Sequence, residues 1–74
     1  SYLARAFKKE FGCTVTDYIV RTRMTNAKKL LEETSVSIKN IALNVGFPNT
    51  SYFSRVFEKT QGIPPTVYRA QVQA

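Results

Sequence analysis

Arg5 and Arg55 stand fifty positions apart in the same local setting, Ser-Tyr-x-x-Arg-x-Phe-x-Lys. A guanidinium flanked by hydroxyls suits recognition rather than bond breaking. Its parallel N–H donors match the guanine edge or a phosphate, and serine, threonine and tyrosine hydroxyls bond to either. The side chains that catalysis would need are missing or scattered. There is no histidine, and the only thiol is Cys13. Asp17, Glu32, Glu33 and Glu58 show no spacing of a paired acid and base, and no glycine-rich phosphate loop occurs. No enzyme is expected, and no cofactor or metal.

The shared setting belongs to a longer repeat. Residues 1–18 recur as residues 51–68 without a gap, and 8 of the 18 positions are identical: Ser, Tyr, Arg, Phe, Lys, Gly, Thr and Tyr. A period of this length means two copies of one supersecondary unit. Cys13 corresponds to Ile63, which marks position 13 as a small apolar packing site. The first copy begins at residue 1, so the numbering is expected to start inside a unit.

Seventy-four residues make one small domain with a marginal core. One cysteine forms no internal disulfide, which fits a reducing, cytoplasmic setting. No apolar stretch approaches the roughly 20 residues of a membrane span, and nothing resembles a signal peptide. Eleven Lys and Arg against five Asp and Glu give a net charge of +6. That bias favours a polyanionic partner.

Apolar periods of three and four predict helices throughout. Leu3, Ala6 and Phe7 mark a first helix that stops at Gly12. Thr14 and Asp17 fit a capping box for a long helix to about Glu33, with Tyr18, Ile19, Met24, Ala27, Leu30 and Leu31 as its stripe. Ser37 caps a short helix carrying Ile38, Ile41, Ala42 and Val45. Gly46-Phe47-Pro48-Asn49 is a tight turn, and Asn49 caps a helix that buries Phe53, Val56 and Phe57. Gly62 ends it, and Pro65 opens a short closing helix through Val67 and Tyr68. The expected organisation is a recognition-helix remnant at 1–13, a linker helix at 14–34, a complete unit at 35–69 and a frayed tail at 70–74.

A short helix, a glycine turn and a second helix with one apolar face describe a helix-turn-helix. The second helix turns Thr50, Ser51, Ser54 and Arg55 outward, suited to base edges in a major groove, with Tyr52 near a phosphate or sugar. In the first copy Ser1, Tyr2, Ala4 and Arg5 face outward. Asn49, Lys8, Lys9 and Lys59, which repeats Lys9, are candidates for phosphate contacts, as are Arg21 and Arg23 on the long helix. Alternatives stay open at this level. The arginines can be ordinary solvated side chains, Arg21, Arg23, Lys28 and Lys29 a solvated flank, and Tyr18 and Tyr68 core or interface residues.

Several segments together resemble the DNA-binding domain of the AraC/XylS family of bacterial transcription regulators. They are Ser37–Phe47 (SIKNIALNVGF), Ser51–Lys59 (SYFSRVFEK), Gly62-Ile63-Pro64-Pro65, Tyr68-Arg69, and the long helix with Arg21-Thr22-Arg23-Met24 and Ala27–Leu31. The resemblance covers residues 1 to 69. It implies an all-α fold of tandem helix-turn-helix units, homeodomain-like in their three-helix architecture, joined by a long linker helix. Their recognition helices would enter adjacent major grooves. Base-reading positions then become Ser1, Ala4 and Arg5 in the first unit, and Thr50, Ser51, Tyr52 and Arg55 in the second. Glu58 replaces a lysine of the first copy and weakens any phosphate contact there.

The family places two helices ahead of the first recognition helix, so the first unit is expected to be incomplete and the chain N-terminally truncated. The expected partners are double-stranded promoter DNA, RNA polymerase, an upstream effector or receiver domain in the parent chain, and a second copy met through the parent chain or through the exposed residues 1–11. The expected location is the bacterial cytoplasm, with the nucleoid and without membrane contact. A rival reading makes the apolar face of residues 3–11 a helical protein–protein interaction module.

Overall fold

Five helices follow one another in the computed structural model, which describes residues 2–74. They are α1 (Tyr2–Phe11), α2 (Val15–Glu33), α3 (Ile38–Asn44), α4 (Thr50–Gln61) and α5 (Pro65–Val72). Their boundaries follow local chemistry. The Thr14 hydroxyl accepts the Asp17 N–H at 3.0 Å and opens α2. The Ser37 hydroxyl accepts the Asn40 N–H at 3.2 Å and opens α3. Gly62 stops α4 in the left-handed region at φ +88°, which costs a residue without Cβ little.

The core lies between α2 and the segment from α3 to α4. Met24, Ala27 and Leu31 of α2 meet Ile41, Ala42 and Val45 of the α3 segment, Phe47 of the turn, and Phe53 and Phe57 of α4. An aromatic series runs through it. Tyr52 meets Phe47 at 5.6 Å between centroids, Phe47 meets Phe53 at 5.4 Å, Phe53 meets Phe57 at 5.8 Å, and Phe57 meets Tyr68 at 5.6 Å. Emptying a Phe53- or Phe57-sized space would cost ~3–5 kcal/mol.

No described residue of α1 is buried. It rests on α2 through Phe7, Phe11 and Tyr18, whose rings lie 4.5 to 6.4 Å apart, and through buried Cys13 at its end. The packing role expected for position 13 is therefore met. Two members of the expected α2 stripe are corrected: Tyr18 and Ile19 are 50% and 42% exposed. Tyr18 lies against the α1 rings instead, and both residues precede the part of α2 that the core covers.

The expected tail at 70–74 is also corrected, because α5 continues through Val72. The physical reason is the far end of α2, whose last carbonyls lack helical donors. Arg69 Nε donates to the Leu31 carbonyl at 3.3 Å and Arg69 Nη2 to the Thr34 carbonyl at 3.2 Å. The Gln73 amide reaches the same two oxygens at 2.7 and 2.9 Å. Tyr68, half-buried against the core, donates its hydroxyl to the Glu32 carboxylate. Among the described residues no helix is long and apolar enough to cross a membrane.

Candidate nucleic-acid interface

The α3–α4 corner is built by a residue that needs no Cβ and a residue that needs burial. Gly46 sits at φ +105°, a conformation that side chains disfavour. The reversal lets the Phe47 N–H return to the Ala42 carbonyl at 2.9 Å while its ring enters the core, 3% exposed. Asn49 follows in extended backbone, and its Oδ1 accepts the Tyr52 N–H at 2.8 Å. The cap satisfies one of the donors left over at a helix start.

With its start fixed, α4 has two unlike faces. Phe53 and Phe57 are fully buried, and Val56 packs partly beside them. On the opposite side Ser51, Arg55 and Glu58 follow at helical spacing, all exposed. Among the described residues no carboxylate pairs with the Arg55 guanidinium. Tyr52 is 47% exposed at the edge of this face, with one side of its ring against Phe47. Thr50 and Ser54 lie half-buried on the flank rather than at the centre of the outward face. Two side chains of the expected reading set are thus less open than their neighbours, because their row turns toward the packed side.

The first candidate reader is open along its length. Tyr2, Ala4, Arg5, Lys8 and Lys9 are exposed on α1, with both lysines in its last turn. Ser1, expected to read bases, lies outside the described residues. Leu3 and Phe11 are 78% and 60% exposed, so the apolar side of α1 stays largely open beside half-buried Phe7.

The expected phosphate contacts on α2 separate. Arg21 and Lys59 come together with Lys28 at an open groove of about 580 Å³ between α2 and α4, floored by Val20, Met24 and Val56. Arg23 goes elsewhere: its guanidinium lies over the Phe47 ring, 5.4 Å from the centroid. The sequence carried no signal for that contact, since 24 positions separate the partners. The grip of Arg69 and Gln73 on the end of α2 was equally invisible. An arginine in the last turn of a short helix reads as a solvated cation until a second helix end is placed beside it.

Tyr68 is a titratable group that its surroundings clearly shift. The hydrogen bond to Glu32, then burial, then the nearby negative charge hold its hydroxyl up to about 12. The cause is structural and lies apart from the outward face of α4.

Comparison with known proteins agrees with this geometry. A family model described as a helix-turn-helix domain matches residues 1–71. The HTH-type transcriptional activator RhaR of Mannheimia succiniciproducens is 39% identical over 71 residues, covering 96% of this chain and 26% of that protein. The chain therefore spans about a quarter of the length of this relative. The crystal structure of the C-terminal domain of the two-component response regulator yesN from Fusobacterium nucleatum superposes with a TM-score of 0.90 at 43% identity. That match covers 92% of this chain and 66% of the other. The DNA-binding domain of the global transcriptional factor AdpA, crystallised with a target DNA, gives a TM-score of 0.87 at 26% identity, covering 92% of this chain and 61% of that one.

Proposed function

Because the chain belongs to the AraC/XylS-type family of helix-turn-helix DNA-binding domains, we propose that it binds double-stranded DNA sequence-specifically and regulates transcription. The observation that carries this reading is the division of α4, with Phe53 and Phe57 fully buried and Ser51 and Arg55 exposed on the opposite side. A helix anchored in this way can enter a major groove as a rigid probe. Members of this family are regulators by their names, and the chain has no expected enzymatic role.

In this reading α1 and α4 enter successive major-groove segments, and α2 fixes their separation. The long dimension of 44 Å is enough for readers roughly 34 Å apart. Residues 35–69 form the complete, homeodomain-like unit. Residues 1–13 are the recognition helix of a first unit whose supporting helices would come from a longer parent chain, and residues 14–34 link the two. Thr50, Ser51, Tyr52, Ser54 and Arg55 read bases from the second unit, and Ser1, Ala4 and Arg5 from the first. Lys8, Lys9, Lys59, Arg21 and Asn49 hold phosphates, where Asn49 leaves the start of α4 directed at the backbone.

Further partners follow from the same reading. An upstream receiver or effector domain fits the match to a response regulator's C-terminal domain. RNA polymerase would be the partner at a promoter, and a second copy could meet residues 1–11. The exposed Leu3 and Phe11 favour a second reading of that segment, as a docking face for a partner helix. Enrichment of bound duplexes from a randomised library, followed by a salt titration, tests the function. DNA reading predicts one enriched sequence and affinity that falls steeply with salt. A docking module predicts neither.

A further inference from the structure

Arg21 and Arg23 are two residues apart on α2, yet they face different surroundings. Arg21 joins Lys28 and Lys59 at the open groove, whereas half-buried Arg23 points to the α3–α4 corner. A Cβ added at Gly46 would lie 3.1 Å from Arg23 Nε, 3.2 Å from Cζ and 3.4 Å from Nη2. The guanidinium is therefore laid against the turn backbone, in a space that exists because residue 46 has no side chain. The same group lies over the Phe47 ring at 5.4 Å, in the range of a cation–π contact. Phe47 in turn meets Tyr52 edge to face at 5.6 Å, with the ring planes 69° apart.

We propose that Arg23 is a positioning residue for the second recognition helix, acting through Phe47 on Tyr52 to set how well preferred DNA is told from other DNA. The proposal rests on the reading of α4 as a DNA reader. It replaces the phosphate contact expected for Arg23 with an internal one. Arg23 binds the linker helix to the corner from which α4 starts, and its planar face supports the ring that Tyr52 leans on. The Asn49 cap holds the Tyr52 main chain at the same corner. Main chain and ring of one base-reading residue are thus held from two directions. A lysine would keep the charge but lose the planar face and its fit over Gly46.

The test uses the full-length protein and the duplex it selects from a randomised library. Affinities for that duplex and for an unrelated one are measured across a salt series for wild type, Arg23→Lys, Arg23→Gln, Phe47→Leu and the Arg23→Lys/Phe47→Leu double variant. The expected result is an about tenfold fall in the preferred-to-unrelated ratio for both Arg23 variants. Their salt slope should match wild type, and the double variant should lose no more than the worse single. A phosphate role predicts the opposite pattern, with Arg23→Lys behaving as wild type and Arg23→Gln lowering the slope by about 0.9. That pattern, or losses that multiply in the double variant, would overturn the proposal. So would Arg23 variants that no longer melt cooperatively, since Arg23 would then serve stability alone. Wild-type protein that enriches no sequence would instead overturn the DNA reading itself.

Discussion

The side-chain amide of Gln73 donates to the Leu31 carbonyl at 2.7 Å, joining the residue just after α5 to the last turn of α2. Arg69 donates to the same oxygen from one turn earlier in α5. These bonds make the end of α2, which leads into α3, depend on Arg69 and Gln73. Arg69→Ala should lower unfolding free energy by ~1–3 kcal/mol, because part-buried carbonyls lose their donors. Urea denaturation measures it. A midpoint equal to wild type would show that water replaces the guanidinium without cost.

Tyr68 adds a pH dependence to the same contact. Its hydroxyl is held up to about 12 in the fold, against about 10 in an unfolded chain. The folded-state value is raised, so the contribution is fully present below pH ~10 and is lost as pH rises toward ~12. Thermal melts of wild type and Tyr68→Phe should therefore differ at neutral pH and converge across that alkaline window. Curves that run parallel to pH 12 would remove Glu32 as the cause.

Removing the cap of α4 should loosen the reader at its start. Asn49→Ala is expected to cost ~1 kcal/mol of stability, and Asn49→Asp to keep most of it, because aspartate also accepts the Tyr52 N–H. The two variants also separate cap from contact. The aspartate would bring a negative charge to DNA phosphates, so it should bind less tightly than alanine despite folding better. Equal affinities for the two would place Asn49 away from the phosphate backbone.

Much of the fold was legible in the sequence because its signals are local. Thr14, Ser37 and Asn49 each cap a helix from within three residues, and Gly62 ends α4 by its own conformation. The inward set Phe53, Val56 and Phe57 follows from helical spacing alone. What the sequence left hidden depends on distant helices meeting. Gln73 reads as a polar tail residue until the carbonyls of Leu31 and Thr34 stand beside it. Arg23 reads as a solvated cation until Phe47 lies beneath it. Tyr18 and Ile19 went astray for a related reason: periodicity marks an apolar row without saying where along α2 the core ends.

The candidate site divides in the same way. The outward placement of Ser51 and Arg55 was readable from the burial of Phe53 and Phe57. The flank positions of Thr50 and Ser54 were not, since they depend on how closely neighbouring elements approach α4.

The central claim, that the exposed face of α4 reads base edges, stands on Arg55. Affinities of wild type and Arg55→Ala should be compared at fixed salt on the selected duplex and on an unrelated one. The loss expected on the selected duplex is ~1–3 kcal/mol, with little change on the other and an unchanged melting temperature. An Arg55→Ala protein that keeps the wild-type preference between the two duplexes would contradict the claim.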